Sequence, residues 1–524
     1  MRNQAIRRIA LVAIFTLAPA LFGVGSSTGS QNASDWMTAN RDYASTHYSP
    51  LAEITARNAG ALKLVCSYNL GEQVQFQDAP IVVNGVMYVA TFENTYAINA
   101  STCHLIWRVH HHIPAVPGFG SIRGLGYGNG QVYVATLDGQ VMALNAASGK
   151  MNWQKQVLPK GGLGYFDSAP LAVGNVVYVG NGGSDVGAIG FMFALDQRTG
   201  RVLWKTSLVA TGNTAAAKTW PHTPGVHIAG GGTWTSYTDD TRRDLLLVAS
   251  GNPGPDFNGD YRPGQNLYTS SVVALSAGTG AIRGYRQLVP HDVHDWDVST
   301  PPALVTTRAG TAVLAVVGKN GYLYVMNPEL THVLHRIPTT TMYNVDAPIT
   351  TQGTRFCPGT QGGTEFNPVA YSPQTNLLYT ASVDWCSTIR LDAAPRFVAG
   401  QAFVGSTNGF GTLDPQSQAK GWLTAVDADT GRVQWKWRSS MPLLAAVVPT
   451  AGGVVFTGEL TGNFVAFDAS TGKMLYRHKT LGSIPGGLAV YAVNGEEYVA
   501  VASGYPGPIW HLQKTKDEIV VFGL

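Results

Sequence analysis

Charge is scarce in this chain. Only 13% of its 524 residues are Asp, Glu, Lys or Arg, against about 25% in ordinary soluble domains. Lys and Arg number 35 and Asp and Glu 32, leaving a net charge of +3. A nucleic-acid partner needs a clustered basic face to neutralise phosphates, so that class is excluded. Cysteine is also scarce, at four residues, and no Cys-x-x-Cys-His is present, so no c-type haem is attached through that motif. Beyond the N-terminus no apolar run approaches the ~20 residues of a spanning helix.

The N-terminus itself reads as an export signal. Arg2, Arg7 and Arg8 precede an apolar run from Ile9 to Val24, and small residues follow to Ser30. This pattern predicts a signal peptide over residues 1–33, cleaved between Ala20 and Ser34, with an uncleaved anchor as the alternative. A periplasmic or secreted location without a stable membrane span follows, and disulfides become permissible there. Apolar residues at 45% suffice for a large core, and the 61 glycines imply many tight turns.

The chain repeats itself. Val132-Tyr133-Val134-Ala135, Ala143-Leu144-Asn145-Ala146, Ser148-Gly149-Lys150 and Trp153 form one unit. Val177-Tyr178-Val179, Ala194-Leu195-Asp196, Thr199-Gly200-Arg201 and Trp204 form the next. Later copies run from Ala425 to Trp435 and from Ala466 to Tyr476. Alternating β-branched and aromatic residues read as strands. Asp-x-x-Thr-Gly reads as a hairpin turn. A period of about 40–50 residues is that of propeller blades. The repeat position recurs at Asn99, Asn145, Asp196, Ser276, Asn327, Asp427 and Asp468. The wide gaps 196–276 and 327–427 predict inserted loops, where function resides. An eighth unit assembles from Glu496–Val501 and the Leu62–Val65 region. The expectation is an all-β, eight-bladed propeller over residues 34–524, with seven blades as the alternative.

Four segments fall outside the repeat. They are Arg123-Gly124-Leu125, Gly180–Gly187, the stretch from Gly230 through Trp234 and Asn252 to Tyr268, and Pro290–Asp297 followed by Lys319-Asn320-Gly321. Their order and spacing, with the opening Asp35-Trp36 and Tyr48-Ser49-Pro50-Leu51, resemble the pyrroloquinoline quinone (PQQ)-dependent alcohol dehydrogenases over nearly the whole mature chain.

The resemblance implies roles. Asp297 is the catalytic base, since alcohol oxidation needs a carboxylate to take the hydroxyl proton as hydride leaves carbon. Asp185, Asn252 and Asp297 hold the metal, and oxygen donors suit calcium. The family usually has Glu where Asp185 stands. Ser299, where lanthanide-using relatives carry an additional Asp, favours calcium by resemblance, while Asp295 on the other side of Asp297 leaves the metal open. Arg123 and Lys319 hold the anionic quinone, Gln77 contacts a cofactor carboxylate, and Trp234 is the flat surface beneath the ring system. Asp292 shares the acidic motif outside the matched catalytic position and is expected to tolerate replacement by Asn better than Asp297 does. Cys357 and Cys386 pair by resemblance, and Cys66 and Cys103 make the second pair, although four cysteines allow three connectivities. Adjacent cysteines that roof the quinone in many relatives are replaced by Pro117–Ser121, with Phe119 as the stand-in or, alternatively, an open roof. The substrate is an alcohol, a polyol or a hydroxylated polymer, and electrons leave to a separate acceptor such as a periplasmic cytochrome c. Two other readings remain: a non-catalytic propeller of the outer-membrane-assembly type, and a PQQ-binding module without turnover. The His110-His111-His112 run alternates faces along a strand, which disfavours one shared site.

Overall fold

The computed structural model describes Met1 and residues 32–113, 121–221 and 224–524. The leader and Phe119 lie outside the described residues. Among those described, helix is confined to five three-residue 3₁₀ turns, and strands build eight four-stranded antiparallel sheets. The fold is an all-β propeller.

The repeat explains how the sheets form and adhere. The second sheet comprises Gly126–Gly128, Gln131–Ala135, Gln140–Asn145 and Met151–Gln156, and the third Leu171–Val173, Val176–Gly180, Phe191–Asp196 and Val202–Ser207. Within each, the two middle strands are buried almost throughout, while the last strand is largely exposed. In the turn before that last strand, the Asp196 carboxylate accepts the Thr199 N–H at 2.8 Å and the Thr199 hydroxyl at 2.7 Å. Asp427 and Asp468 repeat this with Thr430 and Thr471.

The Trp of each repeat staples its sheet to the next. Trp107 Nε1 donates to the Ala146 carbonyl at 2.9 Å, Trp153 to Gln197 at 2.9 Å, Trp204 to Ala277 at 3.0 Å and Trp435 to Ala469 at 3.1 Å. Each bond contributes about 1 kcal/mol, in addition to burial of the indole. The same contact dictates the turn glycine. Gly200 has φ +69°, and a Cβ there would lie 2.6 Å from the Trp153 ring. Gly280 and Gly472 meet Trp204 and Trp435 in the same way.

Ring closure joins the chain ends. The eighth sheet orders Lys63–Asn69, Glu518–Gly523, Glu496–Ser503 and Leu488–Val493, with Lys63 opposite Gly523 and Asn69 opposite Glu518. Its innermost strand, Leu488–Val493, touches Ile81–Val83 of the first sheet, and the Tyr491 hydroxyl donates to Ala100 O at 2.6 Å. Pairing N-terminal with C-terminal sequence removes an open edge. The Cys66–Cys103 disulfide ties this closing strand to the first sheet. The segment 35–49 crosses the ring's centre. Its backbone bonds reach Val82, Asp239, Leu304, Tyr371 and Pro449, on five of the eight sheets.

Candidate active site

The loops between strands converge on a cavity of about 240 Å³, lined among others by Arg123, Tyr165, Asp167, Asp185, Trp234, Asn252, Asp295, Asp297, Lys319 and Glu365. The two long gaps in the repeat supply much of it. Residues 250–270 connect Leu245–Ala249 to Ser271–Ser276, and the 385–419 insert connects Leu377–Asp384 to Lys420–Asp427.

Local pairings place each side chain. Asp185 lies in the 3₁₀ turn Ser184–Val186, flanked by left-handed Gly183 and Gly187. The short pair Ala229–Gly230 with Pro253–Gly254 packs on that turn and brings Asn252 beside it. Asp297 is fixed by its neighbour, because its Oδ1 accepts the Asn252 backbone N–H at 2.9 Å. Gly251 makes this approach possible: a Cβ there would stand 2.4 Å from Asp297 Oδ1. Lys319 bridges two carboxylates, with Nζ 2.8 Å from Asp295 Oδ2 and 3.3 Å from Asp297 Oδ2. Gly362 packs against the lysine stem, where a Cβ would come within 2.6 Å.

Across the cavity, Arg123 is held in a fork. Its guanidinium donates to Asp167 Oδ2 at 2.7 Å, to Trp234 O at 2.9 Å and to Gln77 Oε1 at 3.2 Å. It also lies 5.0 Å from the ring centroids of both Trp234 and Phe366. Gln77 does not line the cavity. It is buried, donates to Pro506 O at 3.0 Å and acts on the site through Arg123.

The electrostatics are those of an over-acidic pocket. Burial, reinforced by Asp297 and opposed by Lys319, pushes the Asp185 carboxyl up to about 6. Burial raises Glu365 to about 7 and Asp167 to about 6, with Arg123 opposing both shifts. Asp295 is driven well above the carboxylate range by burial despite Lys319. Holding this much acid out of water is costly unless a cation offsets it. Asp185, Asp256 and Asp295 place one carboxylate oxygen each within 4.8 Å of one another. Among the described residues this is the one such grouping of acidic, His or Cys ligand atoms. The His110–His112 run forms none: His112 approaches Glu93 at 3.4 Å, while the half-buried His111 has both ring nitrogens shielded from water.

The residues sequence reasoning missed are Asp167, Asp256, Tyr165 and Glu365. Asp167 had a legible signal, since Phe166-Asp167-Ser168-Ala169-Pro170 echoes Phe76-Gln77-Asp78-Ala79-Pro80, and the aligned Asp167 and Gln77 both grip Arg123. Asp256 follows Asn252 by four residues, and only the folded insert turns it inward. Asp292 lies outside the cavity lining. It is buried, and its carboxylate accepts the N–H groups of Trp296 at 2.9 Å and His294 at 3.2 Å, so it shapes the turn that presents Asp295 and Asp297. Cys357 is bonded to Cys386. This bond braces the small sheet of Thr354–Phe356, Ser387–Ile389 and Thr412–Leu413, beside cavity-lining Gln361, Phe410 and Leu413.

A propeller with two fixed cations, an indole and a carboxylate cluster in one pocket defines the class of a cofactor-bearing propeller. Comparison with known proteins narrows it. Residues 36–339 match the family model described as glucose/ethanol/alcohol dehydrogenase, beta-propeller domain. Residues 419–516, mostly repeat, match the model described as outer membrane protein assembly factor BamB. The dehydrogenase subunit of the quinone alcohol dehydrogenase of Gluconobacter oxydans is 30% identical, covering 92% of this chain and 72% of that protein. The quinohemoprotein alcohol dehydrogenase of Comamonas testosteroni is 31% identical over 90% of this chain and 73% of its own. A crystal structure of that Comamonas enzyme superposes with a TM-score of 0.86 at 27% identity, over 94% of this chain and 80% of its own. A europium-containing methanol dehydrogenase superposes with a TM-score of 0.84 at 26% identity, over 94% of this chain and 99% of its own. The chain belongs to the PQQ-dependent alcohol dehydrogenase family.

Proposed function

We propose that residues 34–524 form one eight-bladed domain, exported by the leader 1–33, that oxidises an alcohol or polyol with bound PQQ and a hard metal ion. Calcium suits the two-carboxylate ligand set read from the sequence. The observation that carries the reading is the pairing, in one cavity, of Arg123 and Lys319 with Trp234, Asp185, Asp295 and Asp297, and with Asp256 close behind the first two carboxylates. The donor chemistry fits both groups. Buried Lys319, partly buried Arg123 and a flat indole suit a planar polyanion, and three convergent carboxylates suit a hard ion.

Asp185, Asn252 and Asp295 would hold the ion, Asp295 in place of the Asp297 read from the sequence, because the Asp295 oxygen lies with that of Asp185 while Asp297 Oδ1 accepts the Asn252 N–H; Arg123, Trp234 and Lys319 would hold the quinone. The quinone, when bound, supplies the two-electron acceptor for hydride. Asp297 takes the alcohol's hydroxyl proton on Oδ2, while the Asn252 N–H keeps the carboxylate from rotating away. Lys319 Nζ lies 3.3 Å from Oδ2 of that base and helps to hold it in place. Asp167 and Gln77 hold Arg123 in one orientation. Leu413, Phe410 and Ile509 give the cavity an apolar side that excludes water from the reacting carbon. Electrons then pass to a separate acceptor, for which a periplasmic c-type cytochrome is suited. A scaffold role has no use for so many buried acids beside two cations.

The test is the absorption spectrum of the full chain after addition of PQQ and metal, with dye-linked oxidation of primary alcohols, secondary alcohols and polyols. A quinone band with turnover supports the reading. Its absence under both calcium and lanthanide loading rejects it.

A further inference from the structure

The ring that staples one sheet to the next is missing at one place. Opposite the third-strand alanine of the repeat stand Trp107, Trp153, Trp204, Trp435 and Tyr476, and His335 holds the same position opposite Val325. The fourth sheet comprises Thr238–Asp240, Leu245–Ala249, Ser271–Ser276 and Ile282–Gln287. There the same register sets Gly284 opposite Ala274. A Cβ on Gly284 would meet nothing within 4 Å. Two residues on, at Arg286, begins an open groove of about 580 Å³. It runs between this sheet and the fifth, which comprises Ala303–Thr306, Ala312–Val317, Tyr322–Met326 and Val333–Pro338. Arg286, Gln287 and Leu288 form one side, and Tyr322, Tyr324 and Arg336 the other.

The floor of the groove is the back of the segment that carries the acidic motif. Asp295 and Asp297 line the catalytic cavity, whereas His294 and Trp296 line the groove. Lys319 and Asn320 divide in the same way. His294 and Trp296 are each 5% exposed, and their rings stack at 4.3 Å with Phe356 edge-on to both. Neither His294 Nε2 nor Trp296 Nε1 has a hydrogen-bond partner. The stapling indoles differ, since Trp107, Trp153, Trp204 and Trp435 each reach a carbonyl. Arg286 donates to Thr331 O, yet its Nε is also unpaired. Three buried polar atoms without partners around one groove are costly to keep unless an occupant pairs with them.

The lining selects the class of occupant. Arg286 and Arg336 are matched in number by Asp292 and Asp346, so the groove carries no excess charge with which to gather an anion. Arg336 is moreover engaged 3.7 Å above the Tyr322 ring. An indole N–H can only donate, while an imidazole nitrogen donates or accepts according to its tautomer. A hydroxyl does both and suits either group. The tyrosine rings offer flat apolar surface to the carbon chain between hydroxyls. We propose that this groove is a second, non-catalytic binding site for a neutral polyhydroxylated molecule, an acyclic polyol or a saccharide, separated from the catalytic cavity by the segment 292–297. It does not rest on the reading of that cavity as a quinone site.

The test uses the full chain without added PQQ, with its indole nitrogens isotopically labelled for NMR. The Trp296 Nε1–H resonance is identified by its absence from Trp296→Phe, and that of cavity-lining Trp234 by its absence from Trp234→Phe. Sorbitol, maltotetraose and citrate are titrated separately. Sorbitol or maltotetraose should shift the Trp296 resonance saturably, and the one that does so tells polyol from saccharide. Trp296→Phe keeps a ring but removes the N–H, and should bind that ligand roughly 5-fold more weakly by calorimetry. Gly284→Trp restores the missing staple in open space. It should keep the circular dichroism spectrum and weaken binding roughly 10-fold or more, because an indole would take up the groove. Four results would each overturn the proposal: no saturable shift of Trp296 with either neutral ligand, a shift of Trp234 alone, a shift with citrate only, or parental affinity in Gly284→Trp. Because no PQQ is present, a missing quinone band or missing turnover rejects the dehydrogenase and leaves this site standing. A quinone band with turnover but an unmoved Trp296 does the reverse.

Discussion

Replacing Asp297 by Asn removes one proton acceptor and little else. Asn can present its own Oδ1 to the Asn252 N–H, so the 2.9 Å bond that orients the side chain survives. Lys319 loses its 3.3 Å partner but keeps Asp295 at 2.8 Å, so no buried cation is stranded. The cost to folding is therefore about 1–2 kcal/mol, below the 3–5 expected when a buried ion is left alone. The cost to chemistry is larger. A positioned general base contributes about 10²–10⁴-fold, or roughly 3–5 kcal/mol of barrier. The assay is dye-linked alcohol oxidation, with each rate divided by the PQQ-loaded fraction from the quinone absorbance. Asp295→Asn is the comparator, since Asp295 belongs to the oxygen cluster and its loss should lower metal occupancy first. If Asp297→Asn turns over within threefold of its parent at equal loading, the base is elsewhere, even with fold and cofactor correct.

Other consequences can be checked in parallel. Asp185→Ala should lower metal and quinone occupancy together, with partial recovery of activity in excess metal, as titration against the quinone band would show. Gly251→Ala forces a methyl against Asp297 Oδ1 and should reduce turnover at least ~10-fold with an unchanged circular dichroism spectrum. Removing the Cys66–Cys103 bond with paired serines opens a link of 37 residues. On loop entropy this should cost at most about 4 kcal/mol, readable by urea unfolding under oxidising conditions. Burial raises the Glu497 carboxyl to about 7. Its stabilising contribution is complete below its unfolded value near 4.5 and is lost as pH rises through about 7. Glu497→Gln should therefore raise the melting temperature at pH 8, by the equivalent of at most about 3 kcal/mol, and leave it unchanged near pH 4.

The repeat units were legible because each is local. An Asp-x-x-Thr-Gly turn, a Trp four residues beyond its glycine and alternating apolar strands are all written within about 45 residues, and the sheets follow from them. The closing sheet was legible only in part. Glu496–Val501 and the Leu62 region stood out, yet Glu518–Gly523, which lies between Lys63–Asn69 and Glu496–Ser503, carries no repeat turn of its own. Asp185, Asn252, Asp297, Arg123, Trp234 and Lys319 announced themselves as departures from the repeat, and all six line one cavity. By itself, the sequence determined the strands, their turns, the inter-sheet Trp positions and the loops in which function resides. Tertiary structure alone decided that Asp256 turns inward, that Gln77 serves Arg123 rather than the cavity, and that Asp292 supports a turn. These depend on which loops meet across the ring, and on a carboxylate whose meaning changes once its hydrogen-bond partners are known. Residue type specifies a side chain's chemistry, but burial and neighbours decide whether that chemistry holds a backbone, orients a cation or binds an ion.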